Sequence, residues 1–209
     1  MKLYGYWRSS ASWRVRAALN FKGLQYETVP VNLLEGAQLE ASHRARNPMG
    51  QLPVLELDDG TMLVQSLPIM EYLDQLHPEP ALLPSDAIGR VRVRAMAEVV
   101  NSGIQPLQNL KVLKRLQAAG MDRAAWGRTV IAEGFVALEA AASQTAGRFL
   151  YGDSPTMADI CLVPQLYNAR RFKVDLAPFE TLLRVEEACA ALQPFKDAHP
   201  DNQPDAVKA

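Results

Sequence analysis

Cysteine and histidine are scarce in this sequence, and neither is arranged for metal binding. The two cysteines, Cys161 and Cys189, stand apart in apolar, helix-like stretches, so they form neither a disulfide framework nor a zinc-ligand spacing. The three histidines, His43, His77 and His199, show no metal-ligand spacing, and we assign them no catalytic role. The sequence therefore predicts a protein with no metal site that works in a reducing compartment, the cytoplasm.

An excess of charge and a long apolar run are also lacking. Lys and Arg total 22 and Asp and Glu total 23, so a net charge of −1 gives no global attraction to nucleic acid or to an anionic membrane. No apolar run approaches the roughly 18 residues that span a bilayer, and no signal-peptide-like run is visible at the start. With 48% hydrophobic residues, the chain can form a core and must bind any anion through a local site.

The first 80 residues alternate β-like and helical patterns. Asp58, Asp59 and Gly60 form a turn signal, which predicts an antiparallel hairpin between the runs on either side. A helical stripe follows at Ile69, Tyr72, Leu73 and Leu76. The predicted strands are 2–6, 26–31, 54–57 and 62–64.

The pattern changes after a linker at residues 77–84, where three prolines exclude a helix. No convincing strand follows, so the chain is predicted to hold an α/β domain at 1–80 and an all-helical domain at 85–209. Thr156 and Asp159 form a capping-box pattern whose role, taken alone, is structural. Two apolar helix faces are predicted there: Ile88, Val91, Ala95 and Val99, and Ile131, Phe135, Leu138 and Ala142.

The most informative run is Trp-Arg-Ser-Ser-Ala-Ser-Trp-Arg-Val-Arg at residues 7–16, where a strand turns into a helix. A helix start carries free N–H groups and a partial positive charge, so hydroxyl groups there can help to hold an anion. The alternative is that Ser9, Ser10 and Ser12 serve only as helix caps.

Two more segments of the first domain suit a ligand. Pro53 stands at the entrance of a strand, where a cis peptide bond could present the backbone of Leu52 to an extended peptide. Gln65 and Ser66 precede the helix that contains Ile69, and such a helix start can take a carboxylate. Ser66 alone could equally be a cap.

Five motifs in order resemble the zeta-class glutathione transferases, the maleylacetoacetate isomerases, from residue 1 to about 205. The resemblance implies a thioredoxin-like domain followed by an all-helical domain, glutathione as cofactor, and a homodimer. The motifs are Ser-Ser-Ala-Ser-Trp-Arg-Val-Arg, Asn-Pro-Met-Gly-Gln-Leu-Pro, Gln-Ser-Leu-Pro-Ile-Met-Glu-Tyr-Leu, Gly-Ile-Gln-Pro-Leu-Gln-Asn-Leu and Arg-Phe-Lys-Val-Asp-Leu.

The resemblance also implies a set of site residues. Ser9 corresponds to the hydroxyl that stabilises the glutathione thiolate, with Ser10 beside it. Ala11 replaces a cysteine that many members have, and Gly50 replaces a lysine common in animal members, where it could contact the glycine end of glutathione. The implied glutathione pocket is Ser9, Ser10, Ala11, Ser12, Trp13, Arg14, Gln38, Leu52, Gln65, Ser66, Gln105, Asn109, Leu110 and Lys111.

The implied reaction is the cis–trans isomerisation of maleylacetoacetate to fumarylacetoacetate in tyrosine and phenylalanine breakdown. The resemblance implies that Arg8 and Arg171 hold the dicarboxylate substrate, and an arginine fork matches the geometry of a carboxylate. By residue type alone, Arg14, Arg16 and Arg170 are expected to be solvated surface charges.

Three hypotheses for the function remain open, the first being the isomerisation of maleylacetoacetate. Maleylpyruvate, or small α-halo acids that undergo conjugation and dehalogenation, are alternative substrates for the same thiolate. A non-catalytic relative of the fold is the third possibility, against which the retention of Ser9, Gln65 and Ser66 argues. Gly103 and Pro106 predict a break in the helix that can aim Gln105 outward. The resemblance implies that Gln105 approaches the γ-glutamyl end of the glutathione bound by the partner subunit; the alternative is that Gln105 merely satisfies the broken helix.

Overall fold

The structure, a computed structural model, describes residues 1–207. They form two compact units: Met1–Leu82 together with the described residues from Leu192 onward, and Leu83–Ala191. The expected boundaries assigned residues 192–209 to the helical domain, whereas the described part of that segment packs on the first unit. Aromatic contacts hold it there, since Phe195 lies edge-on to Phe21 with ring centroids 5.2 Å apart. Helical periodicity predicts such a segment's conformation but not the core that it joins.

The elements follow one another in the order expected from the pattern. In chain order they are β1 Lys2–Gly5, α1 Ser10–Phe21, β2 Glu27–Pro30, a 3₁₀ turn Ala37–Leu39, α2 Ala41–Arg46, β3 Val54–Glu56, β4 Met62–Val64, α3 Ser66–Leu76, α4 Ala87–Glu98, a π-helical turn Val99–Ile104, α5 Leu110–Ala118, α6 Arg123–Ala142, α7 Met157–Arg171, α8 Glu180–Ala190, α9 Gln193–Ala198 and a 3₁₀ turn Pro200–Asn202.

The first unit is built on a four-stranded sheet of order β2-β1-β3-β4. β1 and β2 are parallel, while β3 is antiparallel to both β1 and β4. The predicted hairpin is confirmed: Gly60 has φ +86°, and the side chain of Asp59 accepts a hydrogen bond from the N–H of Thr61 at 2.8 Å. α1 packs against α3 and α9, so the helix that follows the serine motif is buried on several sides.

The second unit is helical, and its core confirms one of the two predicted faces. Ile131, Phe135, Leu138 and Ala142 of α6 are all fully buried. The apolar face predicted on α4 does not belong to this core, because Ile88 and Val91 are each 63% exposed. Other residues of α4 are buried in the core instead. Those core residues, Val93, Met96 and Ala97, occupy the opposite side of the helix. The apolar stripe of α4 is therefore a surface feature of this chain.

The capping box at the start of α7 is confirmed. One carboxylate oxygen of Asp159 accepts bonds from the backbone N–H and the hydroxyl of Thr156, at 2.7 and 2.8 Å. The other accepts the N–H of Leu150 at 2.8 Å. Burial raises the pKa of Asp159 to about 6, although these donors favour its ionised form. The box thus ties the loop before α7 to the helix.

The predicted break after α4 is confirmed as a π-helical turn, a form that often marks functional sites. The turn ends at Gln105, whose N–H bonds to the carbonyl of Val100 at 2.9 Å. Gly134 of α6 allows this irregular segment to pack closely, because a Cβ atom there would lie 2.2 Å from Cγ1 of Ile104. Replacing that glycine would force the turn to move.

Within residues 1–207, the helices are all too short or too polar to cross a membrane. The same residues contain no cluster of His, Cys, Asp or Glu that could hold a metal ion. Cys161 and Cys189 are both buried and reduced, and burial raises the pKa of the Cys189 thiol far above its usual range. Both thiols are therefore shielded from solvent.

Candidate active site

The predicted segments of the first unit meet at one end of its sheet. β1 ends there and leads into residues 6–9, and β2, parallel to β1, leads from the same end toward Gln38. β3 is antiparallel and begins with Val54 opposite the third residue of β1, which puts Leu52 beside the carboxyl end of β1. β4 ends opposite Val54, so Gln65 emerges at this edge as well. The sheet register alone thus gathers the serine motif and its three companion segments.

Ser9 is the N-cap of α1. It has extended backbone angles, φ −71° and ψ 118°, and its Oγ accepts a hydrogen bond from the N–H of Ser12 at 3.3 Å. Because Oγ acts as an acceptor in the cap, its own proton stays available for an anion at the helix start. The side chain is half-buried, and the neighbouring Ala11 presents only a methyl group. Capping and anion binding are therefore compatible roles for Ser9.

Several other members of the serine motif lie behind this helix start. Ser12 and Arg14 are fully buried, Trp13 is 2% exposed and Ser10 is 9% exposed. Arg14 was expected at the surface by residue type, and instead its Nη1 donates to the hydroxyl of Ser66 at 3.3 Å. α1 is covered on several sides, which explains the burial of so many polar residues. They shape the pocket from behind, whereas Ser9 reaches its surface.

Three other arginines that the sequence analysis named lie in different environments. Arg8 is half-buried and holds its guanidinium 5.1 Å from the ring centroid of Trp7. Arg16, expected to be solvated, is buried, and this burial lowers its pKa to about 10. Arg170 is partly exposed as expected but forms a two-point ion pair with Glu186, which raises its pKa. Of these three, Arg8 is the one that directly precedes Ser9 at the start of α1.

The Leu52–Pro53 peptide bond is cis, as the sequence suggested. The preceding residues are fixed, because the carbonyl of Gln51 contacts Nε2 of His43 and accepts from the side-chain amide of Asn47, both at 3.0 Å. Within residues 1–207, the N–H and carbonyl of Leu52 have no backbone partner. This strand entrance therefore offers a free donor and acceptor to an extended peptide.

Gln65 and Ser66 are arranged differently from a simple cap. Gln65 is exposed and has φ +70°, a left-handed conformation that non-glycine residues rarely adopt and that often marks functional positions. Ser66 is the first residue of α3 and does not cap it; its hydroxyl accepts from Arg14 instead. The start of α3 therefore keeps free N–H groups, which suit a carboxylate.

Gln38 lies on the 3₁₀ turn Ala37–Leu39 and is half-buried. Gly50 stands next to it, with φ +61°, and a Cβ atom there would lie 3.0 Å from the carbonyl oxygen of Gln38. This crowding and the positive φ together explain why glycine suits position 50.

The second unit carries the other predicted residues. Gln105 is half-buried at the end of the π-helical turn. Asn109 is the N-cap of α5, and its side chain accepts from the N–H of Val112 at 3.0 Å. Leu110 is half-buried and Lys111 is exposed on the first turn of that helix.

Arg171 is the last residue of α7, and its Nη1 donates to the side chain of Asn168 at 3.3 Å. A pair that the sequence did not predict joins α7 to the segment before α5: the amide nitrogen of Gln108 donates to the amide oxygen of Gln165 at 3.1 Å, and both side chains are buried. These residues are 57 positions apart, so no local pattern could have indicated the contact.

Known families match nearly the whole chain. Residues 3–81 match the N-terminal domain of glutathione S-transferases, and residues 104–200 match their C-terminal domain. The maleylacetoacetate isomerase of Mus musculus is 49% identical over 205 residues, which cover 97% of this chain and 94% of the relative. A solved structure described as a maleyl pyruvate isomerase and a zeta-class glutathione S-transferase has a TM-score of 0.95 and 44% identity, covering 99% of this chain and all of that one. This chain belongs to the zeta class of the glutathione S-transferases.

A solved zeta-class relative shows what such a site can hold. The maleylacetoacetate isomerase of Anaeromyxobacter dehalogenans has a TM-score of 0.92 and 58% identity, covers 99% of this chain and 97% of its own, and holds glutathione in its active site. A second structure of that enzyme holds dicarboxyethyl glutathione and citrate. The first compound is glutathione with a two-carboxylate unit attached.

Proposed function

We propose that this protein is a glutathione-dependent cis–trans isomerase that converts maleylacetoacetate to fumarylacetoacetate. The observation that carries the proposal is the gathering of Ser9, the free backbone of Leu52, and the start of α3 at one end of the sheet. The close similarity to curated maleylacetoacetate isomerases supports the same reaction.

The residues present fit glutathione, which is a peptide thiol with a carboxylate at each end. The free N–H and carbonyl of Leu52 would pair with its central residue, in the manner of an added strand. The helix start at Ser66, with Gln65 beside it, would bind the γ-glutamyl carboxylate. Gln38 and Lys111 are proposed contacts for the remaining polar groups of glutathione. Ser9 is proposed to face the glutathione sulfur.

The proposed mechanism requires no covalent bond between the protein and the substrate. When bound, glutathione would supply a thiolate that adds to the activated double bond and is expelled again after the resulting single bond has rotated, which re-forms the double bond. Ser9 stabilises the thiolate by donating its hydroxyl proton as a hydrogen bond, and the N-terminus of α1 adds a favourable field. Ser10, on the first turn of α1, lies beside this donor. The Leu52 segment and the start of α3 hold the peptide in register.

The substrate carries two carboxylates, and the proposal assigns Arg8 and Arg171 to them. Arg8 leads directly into the serine motif and is oriented by Trp7. Arg171 ends α7 and is held by Asn168. A guanidinium fork stabilises a carboxylate through two charge-assisted hydrogen bonds. The dicarboxyethyl glutathione and citrate in the Anaeromyxobacter dehalogenans structure support such a polyanion site in the family.

Maleylpyruvate is the second candidate substrate, favoured by the structural similarity to a maleyl pyruvate isomerase. It demands the same thiolate and a similar pair of anionic groups, so the site described above suits both compounds. Conjugation of small α-halo acids remains a further activity open to the same thiolate.

Turnover with each substrate in turn tests the proposal. We expect glutathione-dependent isomerisation of maleylacetoacetate, with a higher kcat/KM than that for maleylpyruvate and for dichloroacetate conjugation. A higher kcat/KM for maleylpyruvate would reassign the substrate. Absence of any glutathione-dependent reaction with all three compounds would overturn the enzymatic proposal.

The proposal includes a homodimer formed through the exposed stripe of α4. Ile88 and Val91 are 63% exposed, and Val136 of α6, in the same unit, is 63% exposed as well. A cavity of about 210 Å³ lies between the two helices, lined in part by Ala95 and Val99. An apolar face of this kind is expected to be covered by another surface. A second copy of the chain is the proposed cover, and Gln105 is proposed to contact the glutathione bound by that partner.

Light scattering tests the dimer, for which we expect roughly twice the chain mass of 23.1 kDa. Val91→Glu should give a monomer, while Met121→Glu, at another exposed apolar position, should leave the dimer intact. Gln105→Ala should raise the glutathione Kd modestly. A fully active monomeric wild type would refute both the dimer and the role of Gln105.

A cytoplasmic location is also proposed, in keeping with two buried, reduced cysteines.

A further inference from the structure

The C-terminal segment contacts the turn that carries Arg8 and Ser9. Residues 6–9 form a tight turn in which the N–H of Ser9 bonds to the carbonyl of Tyr6 at 2.9 Å. The N–H of Trp7, in the middle of this turn, donates to Oδ2 of Asp205 at 3.0 Å. The two residues are 198 positions apart, and both belong to the first unit.

The backbone carbonyl of Trp7 is bound by Arg16, which also contacts the C-terminal segment. Nη2 of the buried Arg16 donates to this carbonyl at 2.8 Å and to the carbonyl of Ala198 at 3.1 Å. His199 completes the contact, with its ring edge-on to Trp13 at 5.2 Å between centroids. Both backbone polar groups of Trp7 are thus satisfied by Arg16 and the C-terminal segment.

Charge makes Asp205 more than a hydrogen-bond acceptor here. Arg16 carries its positive charge in a buried position, where it donates hydrogen bonds to the carbonyl oxygens of Trp7 and Ala198. Tyr26 and the carboxylate of Asp205 both interact favourably with that charge and oppose the effect of burial on the pKa of Arg16. Asp205 therefore stabilises both the amide and the cation that hold the turn.

We propose that Asp205 is a positioning residue for the reaction, which fixes the turn at Trp7 and thereby sets the positions of Ser9 and Arg8. Removing its acceptor leaves the nearly buried N–H of Trp7 without a partner, and the turn must rotate to recover one. A displacement near 1 Å of a group that acts on the reacting atoms can cost about 100-fold in rate. This inference rests on the proposed function, since it concerns the same thiolate site.

Three variants of the full-length chain test this inference. Asp205→Ala removes the acceptor, and Asp205→Asn keeps an oxygen that can accept the same bond. Asp201→Ala is the matched control, because Asp201 lies in the same segment, has a side chain that is 71% exposed and contacts His199 rather than the turn. The measurements are kcat, the KM for each substrate, the pKa of the bound glutathione thiol from its thiolate absorbance, and amide hydrogen exchange.

For Asp205→Ala we expect kcat to fall between about 10- and 100-fold, the pKa of the bound thiol to rise, and exchange to accelerate at residues 7–9 but not in β1 or β3. Asp205→Asn should recover the part of the turnover that depends on the hydrogen bond to Trp7, although it lacks the charge that stabilises Arg16, and Asp201→Ala should resemble wild type. An unchanged thiol pKa and unchanged kcat in Asp205→Ala, with Ser9→Ala still impaired, would overturn the positioning role alone. Unchanged behaviour in Ser9→Ala would instead refute the proposed site. Uniformly faster exchange across the sheet would show that Asp205 acts on general stability, which also overturns the inference.

Discussion

Replacing Ser9 by alanine separates the structural and chemical roles of one hydroxyl group. The structural role is the cap bond from the N–H of Ser12 to Oγ of Ser9, which is 3.3 Å long. Losing a serine cap typically lowers the free energy of unfolding by about 1 kcal/mol. The first unit keeps its sheet and the packing of α1 on α3 and α9, so we expect Ser9→Ala to fold.

The chemical role is larger. Losing one preorganised donor to an anion costs about 2–4 kcal/mol in sites of this type, which corresponds to a fall in kcat of about 30- to 1000-fold. The pKa of the bound thiol should rise toward the value near 8.5 of a free thiol, so activity at neutral pH should fall more than activity at high pH. Ser9→Thr should retain a useful part of the activity because it keeps the hydroxyl and can cap the helix.

Titration of the thiolate absorbance of bound glutathione measures this effect directly. The control is Ser12→Ala, which removes a fully buried hydroxyl on the same helix and should change the thiol pKa less. The midpoint of thermal unfolding distinguishes a lost cap from lost chemistry. If Ser9→Ala and wild type have the same thiolate titration curve, Ser9 is a cap only, and the assignment of the catalytic hydroxyl is wrong.

Two further predictions concern the substrate and the glycine turn. Arg8→Met or Arg171→Met should weaken the dicarboxylate by about 10- to 100-fold in steady-state kinetics and glutathione far less, since each loses a charge-assisted pair; equal losses would give these arginines a structural or cofactor role. Gly50→Ala should lower both stability and glutathione affinity, because it adds crowding against Gln38 to the cost of φ +61°. Gly60→Ala is the control with φ +86° and open space, so equal destabilisation of the two in denaturant titrations would refute the crowding argument.

The fold was largely predictable because local signals agreed with the final packing. The turn at Gly60 and the capping box at Thr156 each use chemistry that acts within a few residues. The apolar stripe predicted on α4 is present but exposed, since periodicity gives the direction of an apolar face and not what covers it. The assignment of α9 to the helical domain was wrong for a similar reason, because helical periodicity does not show which core a helix joins.

The candidate site was predictable where a backbone feature creates it, as at Ser9, Leu52 and Gln65. Side-chain contacts between distant segments gave no signal in the sequence. Arg14 illustrates this, because its residue type indicates solvent whereas its guanidinium lies buried against Ser66, 52 positions away. The resemblance to a family indicated that Arg14 belongs to the pocket, but only the structure gives its partner.

Arg14 also accounts for how a chain with a net charge of −1 can hold anions. Its buried guanidinium joins the first turn of α1 to the first residue of α3 through the hydroxyl of Ser66. Each helix start carries a partial positive charge, and both emerge at the same end of the sheet. A buried cation beside two such ends is screened little by salt, unlike surface charges. This buried positive charge therefore lies beside the two helix starts where the thiolate and carboxylates are proposed to bind.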